Sequence, residues 1–431
     1  MNKDILVIGG GIAGIQASLL IAESGRKVYL AEKTSMIGGN AIKFEEVFPN
    51  MECSTCMLAP KQQELLQNAN IELLTLATLK RLDGSPGDFT ATIQVKAGYV
   101  SPVDCIGCGA CYEPCPVSVK NPFEENLNER KAIFVPCAGA LPNVPVIDTD
   151  NCVRFTKGED CTACQEACMF EAIDFNQEDK ELQLKVGAVV VATGFDEFDV
   201  KDLPEYGYGE LDCVYTAMEF ERLFASNGPT LGELTLRNGE TPKKAAIVHC
   251  VGRDKVGYCS GICCMYSAKF ARFLKHKIDG AEVFALYSDL CVPGKLNERF
   301  YRETLGEGVS YIHCGNVKVE KNSKGAKVTY DSAGKSESID VDMVILAPAV
   351  IANPDNVALA EILGIECDSR GFFATETGSL APVTTSREGI YVAGCAESPK
   401  DIAASITQAG AAVNKIISTA ERASVPQAVE D

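Results

Sequence analysis

The sequence predicts an α/β protein with two strand–helix–strand domains, the first of which is interrupted by a small cysteine-rich α+β insertion. An apolar strand runs into a glycine-rich turn at residues 4–14, and a second strand and turn begin at Lys244. Residues 104–175 between them contain nine cysteines, eight of which fall into two groups of four at 105–115 and 152–168. Strands that end in such turns and lead into helices are typical of dinucleotide-binding domains. The predicted fold class is therefore a two-dinucleotide-binding-domain protein with an inserted cysteine-rich module.

The first turn has the glycine pattern of a phosphate-binding loop. Residues 4–8 form an apolar, β-branched strand, and G-x-G-x-x-G follows it. Glycines let the backbone turn tightly and approach a pyrophosphate, whose charge then lies at the N-terminus of the next helix. The second strand ends in Glu32, an acid placed to bind a ribose hydroxyl. The candidate dinucleotide contacts in this part are Gly9, Gly11, Ile12, Ala13, Gly14 and Glu32.

Later segments favour FAD as the dinucleotide. Ile37-Gly38-Gly39 resembles flavoproteins of the thioredoxin and glutathione reductase type, in which a second glycine pair lets the chain pass close to the flavin. Strands that end in Thr193-Gly194 and in Gly394 resemble the closing segments of such a flavin domain. Cys395 stands where that family usually places an aspartate on the ribityl chain, and Glu397 is a candidate substitute. The further candidate flavin contacts are Lys33, Gly38, Gly39, Thr193, Gly194, Gly394 and Glu397.

The cysteine-rich stretch has the spacing of a bacterial ferredoxin. Its first half reads C-x-x-C-x-x-C-x-x-x-C-P over residues 105–116, and its second half has four cysteines over residues 152–168. In this pattern three closely spaced thiolates hold one 4Fe–4S cluster, and the fourth, before the proline, holds the other. Zinc sites and disulfides are the alternatives, but zinc sites favour two ligand pairs with a long spacer. The predicted ligands are Cys105, Cys108, Cys111 and Cys168 for one cluster and Cys115, Cys152, Cys161 and Cys164 for the second.

The insertion separates two strand-like segments of the first domain, residues 89–100 and 182–192. The first of these alternates apolar and polar residues like an edge strand. The predicted domains are an FAD-binding Rossmann domain at 1–100, the ferredoxin insertion at 101–176, the continued FAD domain at 177–240, a second Rossmann-like domain at 241–343 and the C-terminal part of the FAD domain at 344–431.

The second domain lacks most of its nucleotide-binding pattern. Residues 244–252 form a strand and turn where a reductase of this build would bind NAD(P)H, but only Gly252 remains of the phosphate-binding glycines. The four cysteines in its place predict a third 4Fe–4S cluster, held by Cys250, Cys259, Cys263 and Cys264. Adjacent residues on a helix diverge by about 100°, so both of the last two thiols can bind only if the helix begins late or is distorted. Buried thiols that pack a helix against a strand are the alternative.

Two further features keep more than one interpretation. Cys53 and Cys56 form a C-x-x-C motif, which can be a redox disulfide, a metal half-site or two buried thiols. Lys269 lies a little over one helical turn after Cys264 and is either a solvated helix lysine or a cation that stabilises a reduced flavin. Cys291 and the other isolated cysteines are interpreted as small core residues.

The composition fits a multi-domain protein of a reducing compartment. The 431 residues with 46% hydrophobic side chains suffice for two or three domain cores. Twenty cysteines grouped as metal ligands, without a secretory leader pattern, lead us to expect the cytoplasm. A formal charge of −19 argues against nucleic acid as a partner. No apolar run approaches the roughly 20 residues that span a bilayer, so membrane association is expected only through partners.

Together these motifs resemble the A subunit of heterodisulfide reductase and its relatives. The resemblance covers nearly the whole chain, and those relatives include the A subunit of the quinone-interacting membrane-bound oxidoreductase and the flavin subunit of tungsten-dependent aromatic acyl-CoA reductase. It implies an FAD that exchanges electron pairs and splits them into single electrons along 4Fe–4S clusters, in some members by bifurcation. The segments that carry the resemblance are residues 9–14, 53–61, 105–168, 258–264 and 392–401.

The resemblance also implies roles and partners. By position, the third cluster lies beside the flavin and Lys269 is the catalytic residue that tunes the flavin. The expected partners are other redox subunits, such as iron–sulfur or heterodisulfide reductase B- and C-like proteins and hydrogenase- or dehydrogenase-linked subunits, and a homodimeric core is compatible with this. The expected function is an oxidoreductase subunit that relays or bifurcates electrons between flavin and clusters. The alternatives are a stand-alone NAD(P)H-dependent flavin reductase and a cluster-bearing scaffold without active flavin.

Overall fold

The computed structural model describes residues 2–376 and 380–424, and the chain divides into two compact units. Unit 1 comprises Met1–Ala41, Leu58–Gly194 and Ala352–Asp431, and unit 2 comprises Ile42–Met57 and Phe195–Ile351. No helix within the described ranges is long and apolar enough to cross a membrane.

The elements are numbered in chain order. The strands are β1 (Ile5–Ile8), β2 (Val28–Ala31), β3 (Glu46–Val47), β4 (Glu52–Cys53), β5 (Ile71–Leu74), β6 (Ala77–Ser85), β7 (Asp88–Val95), β8 (Ser118–Lys120), β9 (Glu129–Lys131), β10 (Ile133–Phe134), β11 (Val146–Ile147), β12 (Lys180–Val186), β13 (Ala188–Val191), β14 (Phe195–Glu197), β15 (Val214–Thr216), β16 (Lys244–Val251), β17 (Glu282–Tyr287), β18 (Ser310–His313), β19 (Gly315–Lys321), β20 (Ala326–Ser332), β21 (Lys335–Val341), β22 (Met343–Pro348), β23 (Val350–Ala352) and β24 (Ile390–Val392).

The α-helices are α1 (Ile12–Glu23), α2 (Ser54–Gln67), α3 (Val153–Lys157), α4 (Ala163–Glu166), α5 (Ala217–Phe224), α6 (Arg253–Val256), α7 (Cys263–Lys277), α8 (Lys295–Gly306), α9 (Asn356–Leu363) and α10 (Ile402–Ser424). Short 3-10 turns cover Gly39–Lys43, Pro122–Glu124, Val200–Asp202, Pro204–Tyr206 and Gly394–Ala396.

A parallel five-stranded sheet forms the core of unit 1, in the order β24-β13-β1-β2-β5. Every residue of β1 and β13 is buried, as expected for apolar runs that are covered on both faces. From β1 the chain adds strands on one side through β2 and later on the other side through β13. Ligands bind to such sheets where the strand order reverses, at the carboxyl ends of the strands. The expected ligand crevice of unit 1 therefore lies at the ends of β1 and β13.

The cysteine-rich insertion leaves and re-enters unit 1 through an antiparallel sheet. Strands β12, β7 and β6 pair in that order, so β7 is the central strand and the expectation of an edge strand is wrong. The chain departs after Val95 and returns at Lys180, the residue with which Val95 is paired. Because the two strands are neighbours, the insertion can occupy the connection between them without disturbing the parallel sheet.

Unit 2 contains a second parallel sheet, in the order β15-β22-β16-β17-β18, beside an antiparallel meander of β19, β20 and β21. Residues 195–240, which we expected in the FAD domain, belong to this unit. The reason is that β15 pairs with β22 and extends its sheet. Residues 42–57 also belong to unit 2, because the wholly buried Arg222 of α5 donates a 2.7 Å hydrogen bond to the carbonyl oxygen of Lys43.

Candidate functional site

The turn between β1 and α1 is shaped so that only glycine fits. Gly9 has a φ of +105°, and a Cβ there would lie 2.3 Å from the carbonyl oxygen of Ala192. A Cβ on Gly14 would lie 1.8 Å from the carbonyl oxygen of Gly9. The turn after β1 therefore packs directly against the residue that follows β13, at the point where the strand order reverses. Gly11 precedes α1 without a side chain, so the positive end of the helix dipole faces an open position.

Glu32 is fixed at the rim of this turn. Its Oε2 accepts the Gly10 N–H at 2.6 Å, and its Oε1 accepts the N–H and the hydroxyl of Thr34, each at 2.8 Å. The second glycine pair lies against the same turn, since Gly38 bridges to Gly11 in parallel fashion. The acid and both glycine segments are thus gathered around one space, as a bound dinucleotide requires.

The predicted contacts after β13 and β24 are anchored by neighbouring amides. The Thr193 hydroxyl donates to the side-chain oxygen of Asn356 at 2.7 Å. The Gly394 N–H donates to the side-chain oxygen of Gln408 at 2.8 Å. Gly194 and Gly394 thus follow the carboxyl ends of two strands of the same sheet as the first turn. Unit 1 therefore brings the glycine segments of the flavin prediction to one edge of that sheet.

The two charged candidates, Lys33 and Glu397, are both held in ion pairs. Lys33 is exposed and pairs with Asp355. Burial would raise the pKa of Glu397, but hydrogen bonding from Lys400 lowers it overall, so the carboxylate stays charged. Cys395 is buried, and its sulfur lies 3.3 Å from the Lys400 carbonyl oxygen. The end of β24 thus presents an anchored carboxylate rather than a free one.

In the insertion, the eight predicted cluster thiols stand around two separate cavities. One space of about 340 Å³, which is partly open to solvent, is lined by Cys115, Cys152, Cys161 and Cys164. Another of about 350 Å³, also partly open, is lined by Cys105, Cys108, Cys111 and Cys168. The remaining walls are mostly apolar side chains such as Val100 and Ile147. The structure therefore divides the thiols into the same two sets as the ferredoxin pattern.

Backbone donors and burial act on these thiols in opposite directions. The Cys105 sulfur accepts the N–H of Gly107, and the Cys168 sulfur accepts that of Ala172, both at 3.4 Å. Such N–H bonds favour the thiolate. Burial, with the neighbouring thiols, raises the pKa of Cys111 to about 12 and that of Cys164 to about 11. Binding of a metal would therefore have to displace protons from these sulfurs.

The arrangement of the thiols also indicates which kind of metal group they could hold. In the part of the chain that the structure describes, no set of three or more His, Cys, Asp or Glu side chains is arranged to hold a metal ion. A tetrahedral zinc site, with sulfur about 2.3 Å from the metal, would bring its thiolates within roughly 4 Å of one another. The eight thiols instead line two cavities in sets of four, which is the number of thiolates that one 4Fe–4S cluster takes.

The insertion is bonded to the glycine segments of the flavin prediction. The Ile37 N–H donates to the carbonyl oxygen of Leu141 at 2.9 Å, and the two residues form an antiparallel bridge. The Ile37 carbonyl in turn accepts the side-chain amide of Gln62 at 2.7 Å. Leu141 lies between the two halves of the cysteine pattern, whereas Ile37 immediately precedes Gly38. Both thiol sets and the dinucleotide crevice are therefore parts of unit 1, joined by direct backbone contact.

In unit 2, a cysteine occupies the end of the central strand β16. Cys250 has a φ of +60°, and the pairing of β16 with β22 shifts register between Val248 and Val251. A positive φ at a non-glycine residue costs conformational energy and is concentrated at functional sites. Arg253 pairs with Asp289, and the hydrogen bonds that it donates to Asp289 and then to Cys250 raise the pKa of Arg253. The crevice where a reductase would bind NAD(P)H thus contains a thiol beside a guanidinium.

The other predicted thiols of unit 2 are grouped with Cys250. Helix α7 begins at Cys263, the late start that ligation by two adjacent cysteines would require. Burial, together with the charges of Cys259 and Cys250, raises the pKa of Cys263 to about 11. Burial raises the pKa of Cys264 to about 12, with Cys250, Cys263 and Cys259 adding to the effect. These four thiols therefore form one mutually interacting set.

Cys291 is a fifth thiol that sequence reasoning missed. Its N–H donates to the Cys264 sulfur at 3.3 Å. Burial and the Cys259 thiol raise the pKa of Cys291. The available signal was topological, since Cys291 follows β17, whose parallel neighbour β16 ends at the Cys250 bulge. The carboxyl ends of adjacent parallel strands meet at one edge of a sheet.

Lys269 is buried, so the interpretation as a solvated helix lysine is wrong. Its ammonium lies 2.5 Å from the Glu221 carboxylate and donates to the Glu46 carbonyl oxygen at 2.9 Å. The side chains of Lys269 and Glu221 are only 4% and 3% exposed. Burial raises the pKa of Glu221, although the lysine opposes the shift. The charge of Lys269 is thus balanced within unit 2.

Of the interpretations of the C-x-x-C motif, the structure contains the disulfide. Cys53 and Cys56 are bonded to each other at the junction of β4 and α2.

The chain matches a known family and fold. The family model described as pyridine nucleotide-disulphide oxidoreductase matches residues 3–413. The thioredoxin reductase of T. acidophilum is similar in structure with a TM-score of 0.55 at 13% identity, covering 97% of this chain and 100% of that one. The thioredoxin reductase of Lactococcus lactis has a TM-score of 0.54 at 13% identity, covering 97% and 99%. These matches confirm the predicted two-dinucleotide-binding-domain fold.

Sequence relatives confirm the resemblance to the A subunit of heterodisulfide reductase. The iron-sulfur A subunit of CoB--CoM heterodisulfide reductase from Methanocaldococcus jannaschii is 41% identical over 426 residues, covering 96% of this chain and 64% of that protein. The A subunit of H(2):CoB-CoM heterodisulfide,ferredoxin reductase from Methanothermobacter marburgensis is 37% identical over 436 residues, covering 99% and 64%. The chain thus spans 64% of the length of these relatives.

Proposed function

Because the chain belongs to the pyridine nucleotide-disulphide oxidoreductase family, we propose that it is an FAD- and 4Fe–4S-containing electron-transfer subunit of a larger redox complex. One observation carries the proposal: eight thiols stand four and four around two cavities, in an insertion that is bonded to a dinucleotide-binding crevice. Iron–sulfur clusters exchange single electrons, whereas a flavin can exchange pairs. A protein that holds a flavin and iron–sulfur clusters is suited to accept electron pairs at the flavin and to pass single electrons along the clusters.

The residues of unit 1 fit a bound FAD. The open N-terminus of α1 faces the position for the pyrophosphate, and Glu32 is fixed at the position for a ribose. FAD supplies the interconversion of electron pairs and single electrons. The chain's own part is to bind and orient the group: the close-packed glycines admit the pyrophosphate, and Gly38 and Gly39 allow close approach to the ring. Glu397, anchored by Lys400, is the acid proposed for the ribityl side.

The insertion fits two 4Fe–4S clusters. Each cavity offers four thiols and apolar walls, and N–H donors to Cys105 and Cys168 would stabilise the thiolates that bind iron. Cys115 lines the same cavity as Cys152, Cys161 and Cys164. This agrees with the ferredoxin pattern, in which the fourth cysteine of the first run binds the second cluster. The insertion would carry single electrons to and from the crevice with which it is in contact.

Unit 2 fits a third cluster better than a nucleotide. Cys250, Cys259, Cys263 and Cys264 are the proposed ligands, because each of the last two interacts with both of the first two. The Cys291 thiol interacts with the Cys259 thiol, and the Cys291 N–H donates to the Cys264 sulfur, so Cys291 is proposed as a neighbour of the cluster. Lys269 is the proposed flavin-tuning residue, as the resemblance implies, and Glu221 fixes its ammonium.

Electron exit at the insertion would need a partner protein. Val103, Ile106 and Met169 are exposed by 90%, 63% and 86%. Ile106 also lines the cavity of Cys105, and Met169 follows Cys168, the fourth thiol of that set. Large exposed apolar side chains are typical of protein interaction sites when they are close together, and these three lie within two residues of Cys105 or Cys168 in the sequence. We place the docking site of another redox subunit here, of the kind that the names of the relatives imply. Division of electron pairs between two iron–sulfur chains is part of this proposal.

The reaction with electron donors tests the proposal against a stand-alone NAD(P)H reductase. The full chain, purified anaerobically with its flavin, is mixed with NADH, with NADPH or with reduced methyl viologen. We expect only the viologen to bleach the flavin absorbance near about 450 nm, because the second glycine pattern is replaced by thiols. Rapid bleaching by NADPH would contradict the proposal. A protein without flavin absorbance would instead indicate a cluster-bearing scaffold.

A further inference from the structure

Two hydroxyl groups lie beside Cys263, one of the thiols proposed to hold the third cluster. The Cys263 sulfur accepts hydrogen bonds from the side chains of Tyr266 and Ser260. Tyr266 follows Cys263 by three residues on α7, so the two side chains are neighbours on the helix surface. Ser260 precedes the start of this helix by three residues. The sulfur is therefore approached by one hydroxyl from the helix and by another from the segment before it.

The Ser260 hydroxyl is fixed in position by the neighbouring strand. Ser260 is buried, and its side-chain oxygen accepts the Val350 N–H at 2.9 Å. Val350 is the first residue of β23. Because this hydrogen bond uses only a lone pair of the oxygen, the hydroxyl proton stays available for a second acceptor. The Cys263 sulfur provides that acceptor.

The Tyr266 hydroxyl lies near two acceptors. It donates to the Pro348 carbonyl oxygen at 3.3 Å, and the Cys263 thiol donates to the same oxygen at 3.7 Å. A thiolate that binds metal has no proton left to donate to this carbonyl. A hydrogen bond to a charged acceptor is roughly twice as strong as one between neutral groups. The metal-bound sulfur would therefore be the stronger acceptor for the Tyr266 proton.

The donors to Cys263 differ in kind from those to the other thiols of this set. The Gly261 N–H donates to the Cys259 sulfur at 3.4 Å, and the Cys291 N–H donates to the Cys264 sulfur at 3.3 Å. Those two donors belong to the backbone and persist when a side chain is exchanged. The donors to Cys263 are side-chain hydroxyls, so single substitutions remove them without removing a thiol.

Hydrogen bonds to a sulfur that binds iron affect how readily the cluster accepts an electron. The reduced cluster carries one more negative charge than the oxidised one, so a donor stabilises the reduced form more. The effect is larger in a buried, weakly polar surrounding. From these observations we propose that Tyr266 and Ser260 raise the reduction potential of the third cluster through Cys263. This inference rests on the third cluster of the proposed function and assigns two residues that set its electron affinity.

A redox titration followed by electron paramagnetic resonance tests this role in the full chain. Anaerobically purified wild-type protein, Tyr266→Phe and Ser260→Ala are each equilibrated at a series of potentials with mediator dyes. The signal that is missing from Cys264→Ser is assigned to the third cluster. At a fixed potential we expect the ratio of reduced to oxidised third cluster to be on the order of tenfold lower in each variant. For a one-electron couple this corresponds to a midpoint lower by about 59 mV.

Tyr258→Phe and Ser267→Ala are the matched controls. The Tyr258 hydroxyl donates its proton to the Val350 carbonyl oxygen at 2.8 Å. The Ser267 hydroxyl is buried on α7 and has no hydrogen-bond partner among the residues that the structure describes. Both controls should keep the wild-type midpoint of the third cluster. Equal shifts in the controls and in the two test variants would overturn the inference.

The iron content separates a failure of this inference from a failure of the proposed third cluster. If Tyr266→Phe and Ser260→Ala hold about 12 iron atoms and keep the wild-type midpoint, only the inference is overturned. Loss of iron from either variant would also overturn it, because the hydroxyl would then be needed to retain the cluster. A wild-type chain with about eight iron atoms would show instead that the third cluster itself is absent.

Discussion

The Lys269–Glu221 pair shows how a single buried charge depends on its partner. Both side chains are almost fully buried, and the carboxylate also accepts the Glu45 N–H. Removing one member of such a pair leaves an uncompensated charge in an apolar surrounding, whereas removing both avoids this cost. The pair therefore allows the structural role of Lys269 to be separated from the proposed role in flavin tuning.

We predict that Lys269→Met lowers the free energy of unfolding by about 3–5 kcal/mol. The double variant Lys269→Met/Glu221→Leu should recover most of this loss, because no charge then remains unpaired. Urea unfolding of the three proteins measures both effects. The flavin reduction potential of the folded double variant should differ from that of the wild type. An unchanged potential would contradict the flavin-tuning role of Lys269.

His249 provides a pH-dependent test of unit 2. Within the described residues neither of its ring nitrogens has a hydrogen-bond partner, and burial lowers its pKa to about 4. The unfolded chain takes up a proton near pH 6.5, but the folded one does so only near pH 4. The contribution of His249 to the free energy of unfolding is therefore fully present above about pH 6.5. It decreases by roughly 3 kcal/mol as the pH falls toward 4.

The variant His249→Phe isolates this contribution. We expect its unfolding free energy to change less than that of the wild type between pH 6.5 and pH 4, with a difference of about 3 kcal/mol over this interval. Chemical denaturation at several pH values provides the comparison. Parallel pH profiles for the two proteins would show that His249 is not buried in its neutral form.

Some residues of the candidate site could be predicted from the sequence, whereas the surroundings of others could not. The glycines and the eight cysteines of the insertion were predictable, because fixed local spacing encodes their geometry. The burial of Lys269 was not, since Glu221 comes from α5, 48 positions earlier in the chain. Likewise, Glu397 could be proposed as an acid near the ribityl chain, but its ion pair with Lys400 is visible only in three dimensions.

At the scale of elements, the start of α7 and the end of β16 together create the thiol set of unit 2. Because α7 begins at Cys263, two adjacent cysteines can both contribute to that set. The register of β16 against β22 shifts between Val248 and Val251, the interval that contains Cys250. Cys291, after the neighbouring strand β17, could have been predicted from the parallel order of the strands but not from its own surroundings in sequence.

We predict different effects of removing two of these thiols. Cys264→Ser should lose about four iron atoms per chain, because one ligand of the proposed third cluster is gone. Cys291→Ser is the matched control, since it keeps the backbone N–H that bonds to the Cys264 sulfur. It should retain its iron. The iron content of the two anaerobically purified variants distinguishes these outcomes. An equal loss of iron in both variants would indicate that Cys291 is a ligand.

Element boundaries explain the difference between the expected and the observed domain division. The sequence pattern placed residues 195–240 with the FAD domain because they precede the second strand–turn unit. In the structure β15 adds to the edge of the unit 2 sheet beside β22, a strand from more than 100 residues later in the chain. Pairing between such distant segments leaves no local signal, whereas the antiparallel pairing of β7 and β12 around the insertion could be anticipated from strand pattern alone.

At the scale of the whole chain, we propose that a reductase fold supports single-electron transfer in place of nucleotide chemistry. The first parallel sheet keeps its glycine turn and its acid, whereas the second presents thiols at the corresponding place. An insertion with eight further thiols is bonded to the first of these crevices. The central claim is that the thiols of residues 105–168 hold iron.

The metal and flavin content of anaerobically purified full-length protein tests this claim most directly, combined with electron paramagnetic resonance of the reduced form. We expect about 12 iron atoms, about 12 sulfides and one FAD per chain, and two magnetically interacting reduced clusters that arise from the insertion. Cys111→Ser should lose about four iron atoms and keep its FAD. Zinc in the insertion, or no metal at all with the flavin present, would contradict the account.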